Sequence, residues 1–300
     1  MTVVNEANID LTFRGFKSIY TTAFMAAKVF HPDLAMTVAS SGRDEHYGWL
    51  GQFPRLREWL AGEREVKQLE AFGFTIANRK FESTVGVKRD DFADDRLGVF
   101  KPMFAEMGQL ARQHPDELIF ELLASGFTSL CYDGEPFFAP EHPSVDRAGA
   151  AALVSNMQTG TDPAWFLLDT SRSLRPLIWQ EREAYDFAMI NNTRDAQVFM
   201  TDEFIYGVRA RVSAGFGLWQ LGFGSKAALT SANYAAARSA MMSVRGDKGR
   251  LLGVAPDTLI VPPALEEAGR KLLNSEHGEG GASNPWKDTA KLIVSPYLES

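Results

Sequence analysis

The sequence predicts an α+β protein, in which helices and strands follow each other without regular alternation. The clearest helical signal spans Val99–Leu123, where apolar residues recur at intervals of three and four. The clearest strand signals have a period of two, at residues 74–76 and 85–87. Because strand–helix–strand units do not repeat along the chain, a regular parallel sheet is not expected.

The first part of the chain is predicted to be helical. Residues 11–30 carry aromatic and small apolar side chains at helical spacing, and His31-Pro32 is expected to end this helix. Residues 34–43 are predicted to be a polar link. Within the helix that begins near Val99, Pro115 is expected to interrupt the pattern and to start a continuation that ends at Gly126.

The second half of the chain is predicted to consist mainly of strands. Residues 131–163 are rich in glycine and proline and are expected to be loop-rich. Apolar or glycine-spaced runs predict strands at residues 165–168, 177–180, 185–190, 204–212, 215–224, 258–261 and 292–294. Two helices are also expected, one capped by Ser231 and running to Val244, the other spanning Ala264–Leu273 after two prolines.

The stretch from Tyr47 to Asp95 has the composition of a protein interface. It holds two tryptophans and five phenylalanines among dense alternating charge. Sparse aromatic side chains in a charged surround are typical of protein–protein contacts. Two short helices, Pro54–Leu60 and Glu63–Phe72, are expected within it. The candidate interface residues are the aromatic anchors Trp49, Phe53, Trp59, Phe74 and Phe81 and the charges Arg55, Arg57, Lys88 and Arg89.

Composition and charge restrict the class of function. The chain has 38 acidic and 31 basic residues, a net charge of −7, which argues weakly against a nucleic-acid-binding protein. The single cysteine, Cys131, rules out an intrachain disulfide framework and fits a reducing compartment. A secretory signal and a membrane-spanning segment are not expected, since the required apolar runs are missing from the sequence.

The sequence predicts no catalytic residue, no cofactor and no metal ion. Cys131 and His142 could form a nucleophile and its base, but a buried structural cysteine and a loop histidine are favoured, because no oxyanion-type glycine turn is recognisable. The five histidines lack metal-binding spacing, and the glycine runs lack phosphate-binding spacing. Helix capping and local charge pairing explain the four aspartates between residues 90 and 95 more simply than a divalent ion does.

Several runs of this chain are too long and specific to be chance motifs. They are, in chain order, GWLGQFPRLREW, FTIANRKFESTVGVKRDDFADDRLGVF, HPDELIFELLASGF, CYDGEPFFAPEHP, WFLLDTSRSLRPLIWQERE, GFGLWQLGFGSKA and LIVPPALE. Together they resemble the major head subunits of Mu-like bacteriophages. The resemblance covers the chain from about Leu11 to Leu298.

The resemblance implies the capsid-protein fold shared by tailed bacteriophages. That fold has an N-terminal arm, an extended hairpin called the E-loop, a peripheral domain with a long spine helix, and an axial domain. On this sequence it implies an arm at residues 1–45, an E-loop region at 46–92, a peripheral domain at 93–230 with the spine helix at about Leu97 to Ser125 and a loop-rich insertion at 131–163, and an axial domain at 231–300.

The order of segments suggests a circular permutation in the C-terminal part. Residues 258–273 look like axial-domain material, yet they follow residues that look like the late peripheral strands. The chain then ends in NPWKDTAKLIVSPYL, which elsewhere would lead into a segment like WFLLD. Because permutation is tolerated where the original termini lie close together, the hypothesis requires residues 292–294 to lie near residues 165–168.

The resemblance also implies a function. The chain is expected to be a major capsid protein that self-assembles, as hexamers and pentamers, into the icosahedral head shell of a virion that forms in the host bacterial cytoplasm. Implied partners are a scaffold, a maturation protease and a portal, with packaged double-stranded DNA enclosed but not specifically bound and no membrane contact. Two alternatives remain open: a cytoplasmic enzyme with a loop-borne Cys131/His142 site, and another structural phage component such as a portal or decoration protein.

Overall fold

The computed structural model of the protein describes residues 6–50, 74–94, 96–192, 194–246, 249–278 and 281–298. The helices are α1 (Glu6–Ala26), α2 (His31–Leu34), α3 (Arg89–Ala93), α4 (Lys101–Ser125), α5 (Ala196–Thr201), α6 (Ser231–Met242) and α7 (Glu266–Asn274). The strands are β1 (Ala35–Ala39), β2 (Asp44–His46), β3 (Thr75–Ala77), β4 (Arg79–Lys88), β5 (His142–Val145), β6 (Ala151–Val154), β7 (Met157–Gln158), β8 (Trp165–Leu168), β9 (Leu177–Ile190), β10 (Glu203–Phe216), β11 (Gly222–Ser225), β12 (Arg245–Gly246), β13 (Arg250–Leu251), β14 (Thr258–Val261) and β15 (Lys291–Val294).

Two mixed sheets dominate the structure. The first has four strands in the order β1-β9-β10-β4, with β1 parallel to β9 and the other pairs antiparallel. The second has five strands in the order β15-β14-β8-β11-β7 and combines parallel and antiparallel pairs. None of the described helices is long and apolar enough to cross a membrane.

Helix α4 is the long helix that the sequence predicts, and α1 packs along it in the same direction. Phe16 stacks on Phe104 with ring centroids 4.2 Å apart, and Phe104 meets Tyr206 of β10 edge-on at 5.3 Å. One turn further along, Gly108 lies against the backbone of Tyr20. Because Gly108 has no side chain, the two helices can approach this closely.

Helix α4 runs through Pro115 without a break, so the predicted interruption there is wrong. Proline removes one helical hydrogen bond, but Pro115 is buried, as are Ala111 before it and Ile119 after it, and this burial stabilises the continuous helix. The next residue, Asp116, is buried and accepts hydrogen bonds from the backbone N–H groups of Phe30 (2.8 Å) and His31 (2.7 Å) and contacts the His31 ring at 2.8 Å. The predicted stop at His31-Pro32 therefore starts the short helix α2, while α1 already ends at Ala26.

The apolar stripe predicted on α4 is only partly buried. Phe104 and Met107 are core residues, whereas Val99, Met103 and Leu110 are exposed. A tighter 3-10 turn at Arg96–Phe100 precedes α4, so residues before Lys101 do not continue its helical phase. The buried residues of α4 face α1, the four-stranded sheet and other parts of the core; Phe120, for example, stacks on Tyr297 with ring centroids 6.2 Å apart.

Two strand predictions in this region need correction. Residues 34–43 were predicted as a link, but Ala35–Ala39 forms β1 and pairs in parallel with Leu177–Glu181. Residues 177–180 and 185–190 were predicted as separate strands but belong to one strand, β9. The polar residues between them lie within that strand, where Glu183 pairs with Arg209 and Arg211 of β10 at 2.9 and 3.1 Å.

The glycine-spaced run at residues 215–224 is not a single strand, contrary to the prediction. It contains the end of β10, a 3-10 turn at Trp219–Leu221, and β11 in the other sheet. At Gly217 a Cβ atom would lie 2.5 Å from the carbonyl oxygen of Arg175. Glycine there allows the chain to leave one sheet and enter the next.

The five-stranded sheet joins segments from both sides of residue 230. Strands β7, β8 and β11 precede that residue, and β14 and β15 follow it, so the domain boundary predicted there passes through a sheet. The boundary predicted after residue 45 likewise falls within β2. Strands β15 and β8 are separated by β14 alone, as the permutation hypothesis requires. The four-part division and the permutation both stay predictions.

Candidate functional site

The candidate interface residues fall into two groups. Phe53, Trp59, Arg55 and Arg57 lie outside the described residues. The remaining five are described, and the three aromatic ones among them pack partly within their own subunit: Trp49, Phe74 and Phe81 are half-buried, whereas Lys88 and Arg89 are exposed.

Among the described residues, the side chain of Arg89 makes one weak ion pair, and Arg89 belongs to the basic pair at the end of β4. The guanidinium of Arg89 lies 3.8 Å from the Asp202 carboxylate, and both side chains are largely exposed. An exposed ion pair of this kind contributes little to stability. Both Lys88 and Arg89 therefore remain accessible to a partner.

Phe81 lines a groove of about 280 Å³ between α4 and the four-stranded sheet. Its ring centroid lies 4.3 Å from that of His114, and the Arg79 guanidinium lies 5.0 Å from the centre of the Phe81 ring. His114 also contacts the Tyr185 hydroxyl at 2.5 Å. Burial, reinforced by the nearby charge of Arg79, lowers the pKa of His114.

The other face of the four-stranded sheet forms a shallow trough of about 730 Å³. The cross-strand rows that floor it, in order over β9, β10 and β4, are Ile190–Ile205–Gly86, Ala188–Gly207–Thr84 and Asp186–Arg209–Glu82. Small side chains fill the middle row, an apolar row lies on one side, and a charged row lies on the other. This face is shaped to accept an extended segment or a helix.

An exposed apolar tip lies where β9 connects to β10 through α5. Phe199 and Met200 in α5 are 80% and 79% exposed, and Ile190 at the end of β9 is 43% exposed. Sequence reasoning missed these residues, because apolar residues in a short run are normally assigned to the core. A cluster of large exposed apolar side chains is typical of a contact surface.

The structure brings Cys131 and His142 together through Asp133, which sequence reasoning also missed. The Cys131 thiol donates to Asp133 Oδ1 at 3.1 Å, and His142 Nδ1 lies 2.7 Å from Asp133 Oδ2. His142 is fully buried and stacks on Trp219, with ring centroids 4.0 Å apart. In the sequence, Asp133 precedes Gly134, and such a pair is typical of a turn. Nothing local indicates that its carboxylate contacts Cys131 and His142.

This geometry does not support a nucleophile and its base. Burial, and then the charge of Asp133, raises the pKa of the Cys131 thiol. Burial opposes ionisation of Asp133, but hydrogen bonds from His142 and Cys131 hold the pKa of its carboxyl below the usual value. The thiol is therefore protonated and faces a carboxylate, and no contact between it and the imidazole activates it.

Comparison with known proteins gives a consistent result over the whole chain. The family model described as Mu-like prophage major head subunit gpT matches residues 9–298. The chain is 42% identical over 305 residues to the major capsid protein of Escherichia phage Mu, covering 99% of this chain and 100% of the relative. It is 39% identical over 301 residues to the FluMu prophage major head subunit of Haemophilus influenzae, covering 97% of each.

Solved structures agree with the sequence comparison. A chain of the bacteriophage JBD30 procapsid is similar with a TM-score of 0.87 and 42% identity, covering 98% of this chain and 100% of that one. A chain of the JBD30 capsid is similar with a TM-score of 0.79 and 30% identity, covering 92% of each. The α+β fold described above is thus that of a tailed-phage capsid protein.

Proposed function

Because the chain belongs to the family of Mu-like prophage major head subunits, we propose that copies of it tile the icosahedral shell of a phage head around double-stranded DNA. The observation that carries this proposal is similarity along the full length of both chains, together with a TM-score of 0.87 to a procapsid chain. Assembly takes place in the host bacterial cytoplasm, and the protein acts by repeated contact, without catalysis. Many weak contacts, closed into a shell, give a particle far more stable than any single pair.

The region from Tyr47 to Asp95 supplies one set of contacts between subunits. Trp49, Phe74 and Phe81 support this role, because rings half-held by their own subunit are ordered before they meet a partner. Each aromatic residue that becomes fully desolvated contributes about 1–3 kcal/mol. Phe53 and Trp59 are further anchors, assigned from their residue type alone, and Arg55, Arg57, Lys88 and Arg89 set the orientation.

Two described surfaces supply further contacts. The trough on the open sheet face offers a floor of small residues bordered by Asp186, Arg209 and Glu82. The apolar tip offers Phe199 and Met200, which are unusually exposed for such large side chains. The two surfaces adjoin at Ile190, which lines the trough and ends the strand that leads into α5, so together they form one extended contact region.

The remaining partners follow from the family. A scaffold, a maturation protease and a portal act during assembly, and the packaged DNA is enclosed without specific binding. The net charge of −7 supports the last point, since a protein that gripped DNA would normally present a basic face. The arm, the E-loop region, the peripheral domain and the axial domain, as predicted from the sequence, share the contacts with other subunits and with these partners.

Electron microscopy and sedimentation of the purified full-length chain test the proposal. Wild-type protein should form capsomers, rings or shells as its concentration rises, and Trp59→Ala should stay folded but fail to form shells. Trp59→Phe, which keeps an aromatic ring, is the matched control and should still assemble. A wild-type chain that remains a monomer at every concentration would refute the function, whereas normal shells from Trp59→Ala would refute only the role of Trp59.

A further inference from the structure

Three side chains with different donor atoms meet where the turn after α4 lies against the start of β5. Cys131 offers sulfur, Asp133 offers a carboxylate oxygen, and His142 offers a ring nitrogen, all within 4.8 Å of one another. Among the described residues this is the only group of three or more such donors. We propose that this group is a binding site for one zinc ion.

Charge and donor type favour zinc. A thiolate and a carboxylate carry two negative charges and the imidazole carries none, so the three ligands neutralise a divalent ion in a buried place. Cys131 and His142 are 5% and 0% exposed, and buried charges are tolerated when they are paired or hold a metal. A set of sulfur, nitrogen and oxygen donors suits Zn²⁺, whereas Mg²⁺ and Ca²⁺ prefer oxygen donors alone.

The donors need to move only slightly to bind an ion. Two ligands of one tetrahedral zinc ion lie about 3.4–3.6 Å apart, given bond lengths of about 2.0–2.3 Å. The observed separations are 3.1 Å from the Cys131 sulfur to Asp133 Oδ1 and 2.7 Å from His142 Nδ1 to Asp133 Oδ2. These two pairs must therefore open by less than about 1 Å, and all three donor atoms already lie within 4.8 Å of one another. A water molecule would complete the tetrahedral coordination.

The surrounding structure holds the donors in place. Cys131 and Asp133 belong to a turn closed by two backbone hydrogen bonds, from Cys131 N–H to Glu135 (2.8 Å) and from Gly134 N–H to Cys131 (3.1 Å). The stacked ring of Trp219 fixes the plane of His142. A metal ion would link this turn to β5 and so brace a segment with little regular secondary structure.

Without a metal ion, two protons lie between the donor atoms. The thiol proton of Cys131 and the Nδ1 proton of His142 both point at Asp133. On metal binding, the thiol proton leaves to solvent and the imidazole proton moves from Nδ1 to Nε2. Nε2 is buried and makes no hydrogen bond within the described part of the chain, so no existing partner opposes this change of tautomer. Because one proton is released, affinity should rise about tenfold per pH unit.

Cobalt(II) provides a direct probe of this site. The full-length chain, treated with a chelator and then titrated with Co²⁺, should bind one ion and develop the near-ultraviolet charge-transfer band of a thiolate–cobalt bond. Zn²⁺ should displace the cobalt and remove the band, whereas excess Mg²⁺ should leave it unchanged. Zn²⁺ should also raise the Tm of the wild-type chain.

Variants separate this site from adventitious binding. Cys131→Ser and Asp133→Asn should each lower cobalt affinity at least 100-fold, while His277→Gln, at an exposed histidine, should bind like wild type. The absence of the charge-transfer band in the wild-type chain at millimolar Co²⁺ overturns the proposal even if a variant fails to fold. Equal binding by folded Cys131→Ser overturns it as well.

Discussion

Adding one methyl group at Gly108 tests the close contact between α1 and α4. A Cβ atom at this position would overlap the Tyr20 carbonyl oxygen and would lie 3.1 Å from the Tyr20 carbonyl carbon and 3.2 Å from the Phe24 amide nitrogen. These neighbours are backbone atoms, so relief requires that α1 move as a unit, by about 1 Å. Gly108→Ala should therefore loosen the packing of Phe16 on Phe104.

The expected magnitude follows from two opposing effects. Overpacking costs about 1–3 kcal/mol, and a rigid neighbour places Gly108→Ala near the upper end. Replacing glycine within a helix returns about 1 kcal/mol, which leaves a net loss of about 2 kcal/mol. With an unfolding entropy of about 2.1 cal/mol/K per residue over 300 residues, the Tm should fall by about 3 °C if the subunit unfolds as one unit.

Thermal unfolding of the subunit by circular dichroism measures this change, and trypsin cleavage after Arg14 and Lys17 reports the release of α1. Gly15→Ala is the matched control, because Gly15 lies in α1 and a Cβ atom there would meet nothing within 4 Å. It should raise the Tm slightly and leave cleavage unchanged. If Gly108→Ala melts at or above the wild-type Tm with α1 equally protected, the inferred helix contact is wrong.

Two further measurements address titratable groups. Since burial and Arg79 lower the pKa of His114, the folded chain keeps this ring neutral while the unfolded chain protonates it below a pH of about 6.5. Stability is therefore lost as the pH falls through that value, and the Tm of the wild type should drop more between pH 7.5 and 5.5 than that of His114→Gln; equal drops would contradict this. The raised pKa and burial of Cys131 predict that its thiol, in chelator-treated protein at pH 8, reacts with a disulfide reagent at least 100-fold more slowly than in denaturant, and a comparable rate in the folded protein would contradict the described environment.

Elements with a strong local pattern could be predicted from the sequence. The four residues of β8 and the four of β14 are all buried, and each reads as a short continuous apolar run. Strand β1 could not be predicted in this way, because its partner Leu177–Glu181 lies far along the chain. Gln180 is a buried polar residue in β9 that is satisfied by the Tyr47 hydroxyl at 2.8 Å and the Ile76 carbonyl at 3.0 Å, contacts that no local pattern reveals.

The functional residues also divide into those that the sequence indicates and those that only the fold brings together. Cys131 and His142 stood out because of their chemistry, whereas Asp133 became relevant only when the fold placed it between them. Phe199 and Met200 were not singled out from the sequence, and the structure places them on the surface. Composition indicated that the Tyr47–Asp95 region is an interface, but how much of Trp49 or Phe81 is covered by its own subunit depends on tertiary packing.

The place of β14 and β15 in the five-stranded sheet affects when a newly synthesised subunit can complete its fold. These strands lie within residues 258–294, and β14 lies between β8 and β15. The sheet therefore cannot close before that segment has left the ribosome, and long-range strand pairing of this kind is slow. A nascent subunit thus completes the surfaces that this sheet supports only after residue 294 has been synthesised and released.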